Sequence, residues 1–177
     1  MKRETTTTKN CKEGRMIEYT GTNEQSQAAD LAKPTIIIAC SKGKLDVPAF
    51  ASDIYQGIMH TDLRCHSPNF KDKFNLVIMS AEHGFLTHTD VITPYDTELS
   101  VDVSVDAWVR KHRRSCSTIL SLSTIHEIDR AGGLFVFLPK KYQEAFDKLL
   151  TYKPFKDQVK RFDSFYMCKG HRGIGVM

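Results

Sequence analysis

The sequence predicts an α/β fold, on three observations. Residues 35–39, 74–81 and 134–138 are largely apolar runs rich in β-branched and aromatic residues, without strict alternation, as in strands covered on both faces. Between them lie stretches long enough for helical crossovers, which favour parallel pairing. Each run ends in small or polar residues, as strands do where an open sheet presents its carboxyl edge. The expected architecture is a single domain with a three-layer, mostly parallel sheet and helices on both faces, Rossmann-like in plan.

Residues 1–33 are polar, rich in Thr, Lys, Glu, Gln and Asn, with no sustained apolar period, and read as a flexible arm ahead of a domain over 34–177. The first strand, centred on Ile36-Ile37-Ile38, runs into Cys40-Ser41-Lys42-Gly43-Lys44. That loop offers a hydroxyl, two ammonium groups and a flexible backbone, a set suited to an anion; solvated lysines are the plain alternative. The spacing of a nucleotide-binding Gly-Lys loop is absent. Residues 47–60 place Phe50, Ile54 and Ile58 four apart, which predicts a short helix with these on its buried face and with Asp53 and Tyr55 off it.

A polar approach at 69–73 leads to the second strand, which ends in Glu82-His83-Gly84. Pro94 excludes a helix interior, so Tyr95, Asp96 and Glu98 fall on a loop. A helix is expected over 104–122, with Val105, Trp108, Val109, His112 and Cys116 on one side. Its basic residues Arg110, Lys111, Arg113 and Arg114 form either a phosphate-facing patch or a solvated face. Gly132-Gly133 precede the third strand, and Pro139 is expected in the first turn of a helix reaching about 150. From about 151 the chain reads as a basic, aromatic tail: residues 151–177 hold six basic and two acidic side chains among Tyr152, Phe155, Phe162, Phe165 and Tyr166.

With 177 residues, 41% hydrophobic and 26% charged, the chain suits one globular core. No apolar run approaches the roughly 20 residues of a membrane span, and the start lacks the apolar centre of a signal peptide. A cytoplasmic location without a membrane partner is therefore expected. Five cysteines with no C-x-x-C pair suit a reducing compartment, and their scatter gives no reason to expect a metal or other cofactor. The net charge of +4 permits an acidic partner such as nucleic acid without demanding one.

In a parallel sheet the strand ends converge. Cys40-Ser41-Lys42, Ser80-Glu82-His83 and Pro139-Lys140 would share one edge, and the Tyr95-Asp96 loop would fold over it. His83 titrates near neutrality and suits acid or base work. Asp96, Glu82 or Glu98 suits a developing positive charge, and Tyr55 or Tyr95 suits stacking on a base. Singly, each has an ordinary structural role: His83 capping a strand end, Tyr95 at the core margin, Asp96 turning with Thr97. Their joint placement carries the functional reading. Cys40 or Ser41 with His83 and Asp96 also contains the groups for covalent chemistry. However, Gly-x-Ser-x-Gly is absent, and a thiol directly ending an apolar strand is more often buried and inert.

The ordered motifs Ile38-Ala39-Cys40-Ser41-Lys42-x-Lys44, Asp53-Ile54-Tyr55, Met79-Ser80-Ala81-Glu82-His83-Gly84-Phe85-Leu86, Pro94-Tyr95-Asp96 and Gly173-Ile174-Gly175 resemble a family of small phage and bacterial proteins without an established function. The resemblance covers about 35 to 175. That family is distantly similar to peroxide-stress DNA-binding proteins and to glycosylase-like domains of archaeal tRNA-guanine transglycosylases. It departs here at Glu82, where the pattern more often carries Lys. The resemblance implies nucleic-acid or nucleoside chemistry at an N-glycosidic bond, and a phage setting would place the protein in a host cytoplasm.

The expected function is thus a nucleic-acid or nucleotide-directed enzyme of the N-glycosidase or base-exchange type. Asp96, with Glu82 as substitute, would sit beside the sugar, and His83 would protonate or hydrogen-bond the departing base. Cys40, Ser41, Lys42, Lys44, Tyr55, Ser80 and Tyr95 would bind substrate. The alternative is a non-catalytic phage-type accessory protein that binds a nucleotide, DNA ahead of RNA, or a host protein.

Overall fold

The computed structural model describes residues 33–122 and 132–168. The expectations for the N-terminal arm and for Gly173-Ile174-Gly175 fall outside those residues. The strands are β1 (Thr35–Ala39), β2 (Ala49–Phe50), β3 (Asn75–Ser80), β4 (Gly84–Thr87), β5 (Val91–Ile92), β6 (Leu134–Phe137) and β7 (Phe165–Met167). The helices are α1 (Ala51–Ile54), α2 (Ile58–His66), α3 (Phe70–Lys73), α4 (Val105–Leu122), α5 (Lys140–Thr151) and α6 (Lys153–Val159).

Five strands form one mostly parallel sheet in the order β4-β3-β1-β6-β7. The Ile-rich β1 lies between β3 and β6, parallel to both, with Ile38 opposite Ile78 and Phe137. Alternation along the strands sends side chains to two separate cores. Ile37, Val77, Met79 and Val136 pack with Trp108, Cys116 and Leu120 of α4, Phe146 of α5 and Phe155 of α6. Ile38, Leu76 and Ile78 pack on the other side with Ile54, Tyr55, Phe70 and Ile92. The expected α4 is present, and Val105, Trp108, His112, Cys116 and Leu120 are buried at helical spacing.

Two strands go beyond the three expected in this sheet. β7 adds a parallel edge beside β6. The chain leaving β3 turns back as β4, antiparallel, with Ser80 opposite Gly84. Gly84 makes that turn tolerable: its φ is 80°, and an added Cβ would lie 2.9 Å from the His112 ring. Of the segment from 151, Phe155 and Phe162 are buried in the first core, whereas Phe165 and Tyr166 are partly exposed. Pro139 stands at the N-cap of α5, one position before the first turn.

The single helix expected over 47–60 is replaced by β2, α1 and, after a break at Gly57, α2. Phe50 and Ile58 are 48% and 68% exposed, while Tyr55, expected off the apolar face, is fully buried. Two contacts override the local period. Phe50 and Ala49 pair with Val91 and Ile92 as a small ribbon, and the Gly57 N–H donates to Ser41 Oγ at 3.0 Å. The chain passes so close there that a Cβ at position 57 would lie 2.5 Å from Ser41 Cβ. Gly57→Ala is accordingly expected to cost about 1–3 kcal/mol, read as a lowered midpoint in a denaturant titration.

Candidate functional site

The order of the parallel strands puts a switch point at β1, from which the chain moves to β3 on one side and later to β6 on the other. Open α/β sheets bind ligands at the carboxyl ends beside such a point. Tertiary structure assembles a hydroxyl network there. Ser80 Oγ and Tyr95 Oη are 2.7 Å apart, and Tyr95 Oη and Tyr55 Oη are 2.9 Å apart. Ser80 Oγ also accepts the N–H groups of Glu82 and His83, at 3.2 and 3.0 Å. With its lone pairs so occupied, the Ser80 hydroxyl donates to Tyr95, and Tyr95 in turn donates to Tyr55. Burial pushes the Tyr55 phenol up to about 12 and raises that of Tyr95 as well, so both are neutral hydrogen-bonding groups.

A cation and an imidazole border this chain. Lys44 Nζ lies 4.2 Å from the centre of the Tyr95 ring, within cation–π range, and its backbone bridges to Tyr55. The His83 ring meets Tyr95 edge-on, with centroids 5.1 Å apart. Burial lowers the His83 pKa from its ordinary value, and its Nε2 is buried without a hydrogen-bond partner among the described residues. At neutral pH the ring is therefore an uncharged donor or acceptor rather than a standing acid.

Glu82 forms the rim. Thr97 donates to its Oε2 at 2.6 Å, and Lys111 of α4 approaches its Oε1 at 3.4 Å. The Thr97 hydrogen bond is the main cause of a carboxyl pKa below the ordinary range, and Lys111 adds to it. The loop that carries Tyr95 and Asp96 is thereby tied to the end of β3 and to α4.

Other expected site residues are engaged elsewhere. Ser41 Oγ donates to the Gly43 carbonyl at 2.7 Å as well as accepting from Gly57, so it holds the loop's own shape. Cys40 Sγ contacts Tyr142 Oη of α5 at 3.0 Å, and no hydrogen bond links Cys40 or Ser41 to His83 among the described residues. Lys42 and Asp96 are exposed, and neither side chain hydrogen-bonds to the hydroxyl network. Among the described residues no group of three or more His, Cys, Asp or Glu is arranged to hold a metal, and no helix is long and apolar enough to cross a membrane.

Two positioning residues escape sequence reasoning. Tyr142 reaches the strand edge from a helix about a hundred residues after Cys40. His60 of α2 hydrogen-bonds through Nε2 to the Ala39 carbonyl at 2.8 Å, and its ring lies 5.0 Å from that of Tyr55. Nothing local marks either one.

Burial pushes His60 and His112 each down to about 4. A histidine depressed in the folded state takes up its proton more readily when unfolded, so its contribution is present above the unfolded value near 6.5 and is lost as pH falls toward 4. Stability is expected to drop by a few kcal/mol between those limits, because each histidine kept neutral costs about 1.4 kcal/mol for every pH unit below its unfolded pKa. Denaturant midpoints measured at neutral and mildly acid pH check this; His60→Gln should flatten the fall.

Fold and site together define an α/β protein with a tyrosine–serine hydroxyl network at the carboxyl edge of a mostly parallel sheet. The chain belongs to DUF6884, a family of unknown function, whose model matches residues 35–160, from the first residue of β1 to the residue after α6. No curated protein and no solved structure matches it.

Proposed function

We propose that the protein is an enzyme acting on a nucleoside unit, as an N-glycosidase or base-exchange enzyme, on a Rossmann-like three-layer scaffold. The supporting observation is the Ser80–Tyr95–Tyr55 hydroxyl chain, flanked by Lys44 and His83 at the sheet's switch point. Neutral hydrogen-bonding groups, an aromatic edge and one cation are the chemistry that a base, a sugar and a phosphate require. Cleavage of the N-glycosidic bond builds positive charge on the sugar, which an adjacent carboxylate stabilises. Asp96 takes that role: it follows Tyr95 in the chain, and no cation pairs with it among the described residues. Glu82, held by Thr97 and Lys111, is the positioning residue for the loop that carries Asp96. His83 hydrogen-bonds the departing base, and Lys42 and Lys44 meet phosphate. The setting is a cytoplasm, that of a phage host in the phage-type case.

A second reading, a non-catalytic binder of a nucleotide, DNA or a host protein, has one observation in its favour: Asp96 is not joined to the hydroxyl network. Incubation of the protein with mixed nucleosides, nucleotides and oligonucleotides, followed by mass spectrometry, separates the two. Free base is the expected product. Retained nucleotide without free base transfers the site to the binder, and the absence of both removes the nucleoside assignment.

A further inference from the structure

We propose that the exposed basic face of α4 is a strand-binding track, so that the unit entering the site belongs to a polynucleotide. The inference rests on the nucleoside reading for what enters the site, but not for the track itself. The buried side of α4, with Trp108, His112 and Cys116, is committed to the first core, which leaves Arg110, Lys111, Arg113 and Arg114 exposed. Residues three and four apart share a helix face, so Lys111 and Arg114, with Arg110 beside them, form one stripe. That stripe begins at the site: Lys111 Nζ lies 3.4 Å from both the Glu82 carbonyl and Glu82 Oε1.

A solvated helix face normally closes i,i+4 pairs between opposite charges. Among the described residues this one closes none as an ion pair. Asp106, one turn before Arg110, is held by Lys148 of α5 at 2.8 Å. Among the described residues Arg110, Arg113 and Arg114 make no ion pair. Arg113 instead places its guanidinium 5.1 Å over the Tyr152 ring. Glu82 divides the surroundings: its Oε2 takes Thr97, from the loop that bears Asp96, Glu98 and Asp102, and its Oε1 takes Lys111. A polyanion is repelled from the acidic loop and led along α4.

At about 1.5 Å of rise per residue, the four cations on α4 run about 6 Å along the helix axis. Three of the four are arginines, whose planar forks match phosphate oxygens. Those features favour a phosphodiester chain over an acidic protein surface.

The experiment measures fluorescence anisotropy of short single-stranded DNA and RNA across a salt series, with Arg110→Gln/Arg114→Gln compared against Lys71→Gln/Lys73→Gln in α3. All four side chains are exposed, and matching thermal melts confirm intact folds. The α4 variant is expected to bind at least about tenfold more weakly, with a log–log salt slope smaller by about 1.4, near 0.7 per lost phosphate contact. The α3 variant should bind like the unaltered protein. Equal losses in the two variants, no oligonucleotide binding by the unaltered protein, or equally tight binding of polyglutamate would each overturn the track. Failure of the nucleoside reading shows separately, as absent base release while binding still depends on Arg110 and Arg114.

Discussion

Replacing Trp108 by alanine is expected to destabilise the protein by about 3–5 kcal/mol and to loosen the site with it. Trp108 is fully buried in the first core. Its indole N–H donates to the Ser80 carbonyl at 2.9 Å, so truncation opens a cavity and also leaves a buried acceptor unpaired. Ser80 is the residue whose hydroxyl gathers the Glu82 and His83 amides and Tyr95. His112, 5.2 Å from the indole, braces the turn at Gly84. Trp108→Phe retains most of the bulk and removes only the donor, so it should cost about 1–3 kcal/mol. Because this is the only tryptophan, unfolding is followed by circular dichroism rather than by emission. Typical domains have only about 5–15 kcal/mol in total, so the alanine variant should melt far earlier; a loss below about 1 kcal/mol would show that the α4–β3 contact does not hold the site.

Asp96→Asn is expected to lower turnover of a nucleoside substrate by about 10²–10³-fold while affinity changes by less than about twofold. The size is that of removing one charge from beside a developing cation, the role proposed for Asp96. The side chain is exposed and its amide is isosteric, so the fold and the ground-state contacts survive. Glu82→Gln supplies the contrast. It weakens the tie to Lys111 but keeps an acceptor for Thr97, so it should chiefly raise KM and be rescued by Glu82→Asp in part. Unchanged turnover in Asp96→Asn alongside a collapse in Glu82→Gln would move the carboxylate role to Glu82. Unchanged turnover in both would remove carboxylate chemistry and leave the binder.

The parts legible in the chain are those set by neighbours in sequence. Ile36-Ile37-Ile38, the run through Val77-Ile78-Met79 and Leu134-Phe135-Val136-Phe137 announce central strands because a backbone covered on both faces needs apolar residues at every position. The Val105-Trp108-His112-Cys116 spacing announces α4 because a helix turns every 3.6 residues. The same logic fails over 47–60, where a four-residue period is real but Ser41 and the β2–β5 pairing outweigh it.

Local pattern therefore determined the α/β class, the central strands and the long basic helix. Only tertiary structure decided that Tyr55 is buried against Tyr95, that Lys44 lies across that ring, that Thr97 and Lys111 hold Glu82, and that Tyr142 meets Cys40. These are contacts between loops and strand ends far apart in the chain. Their geometry follows from strand order, register and loop closure, which no periodicity along the sequence encodes.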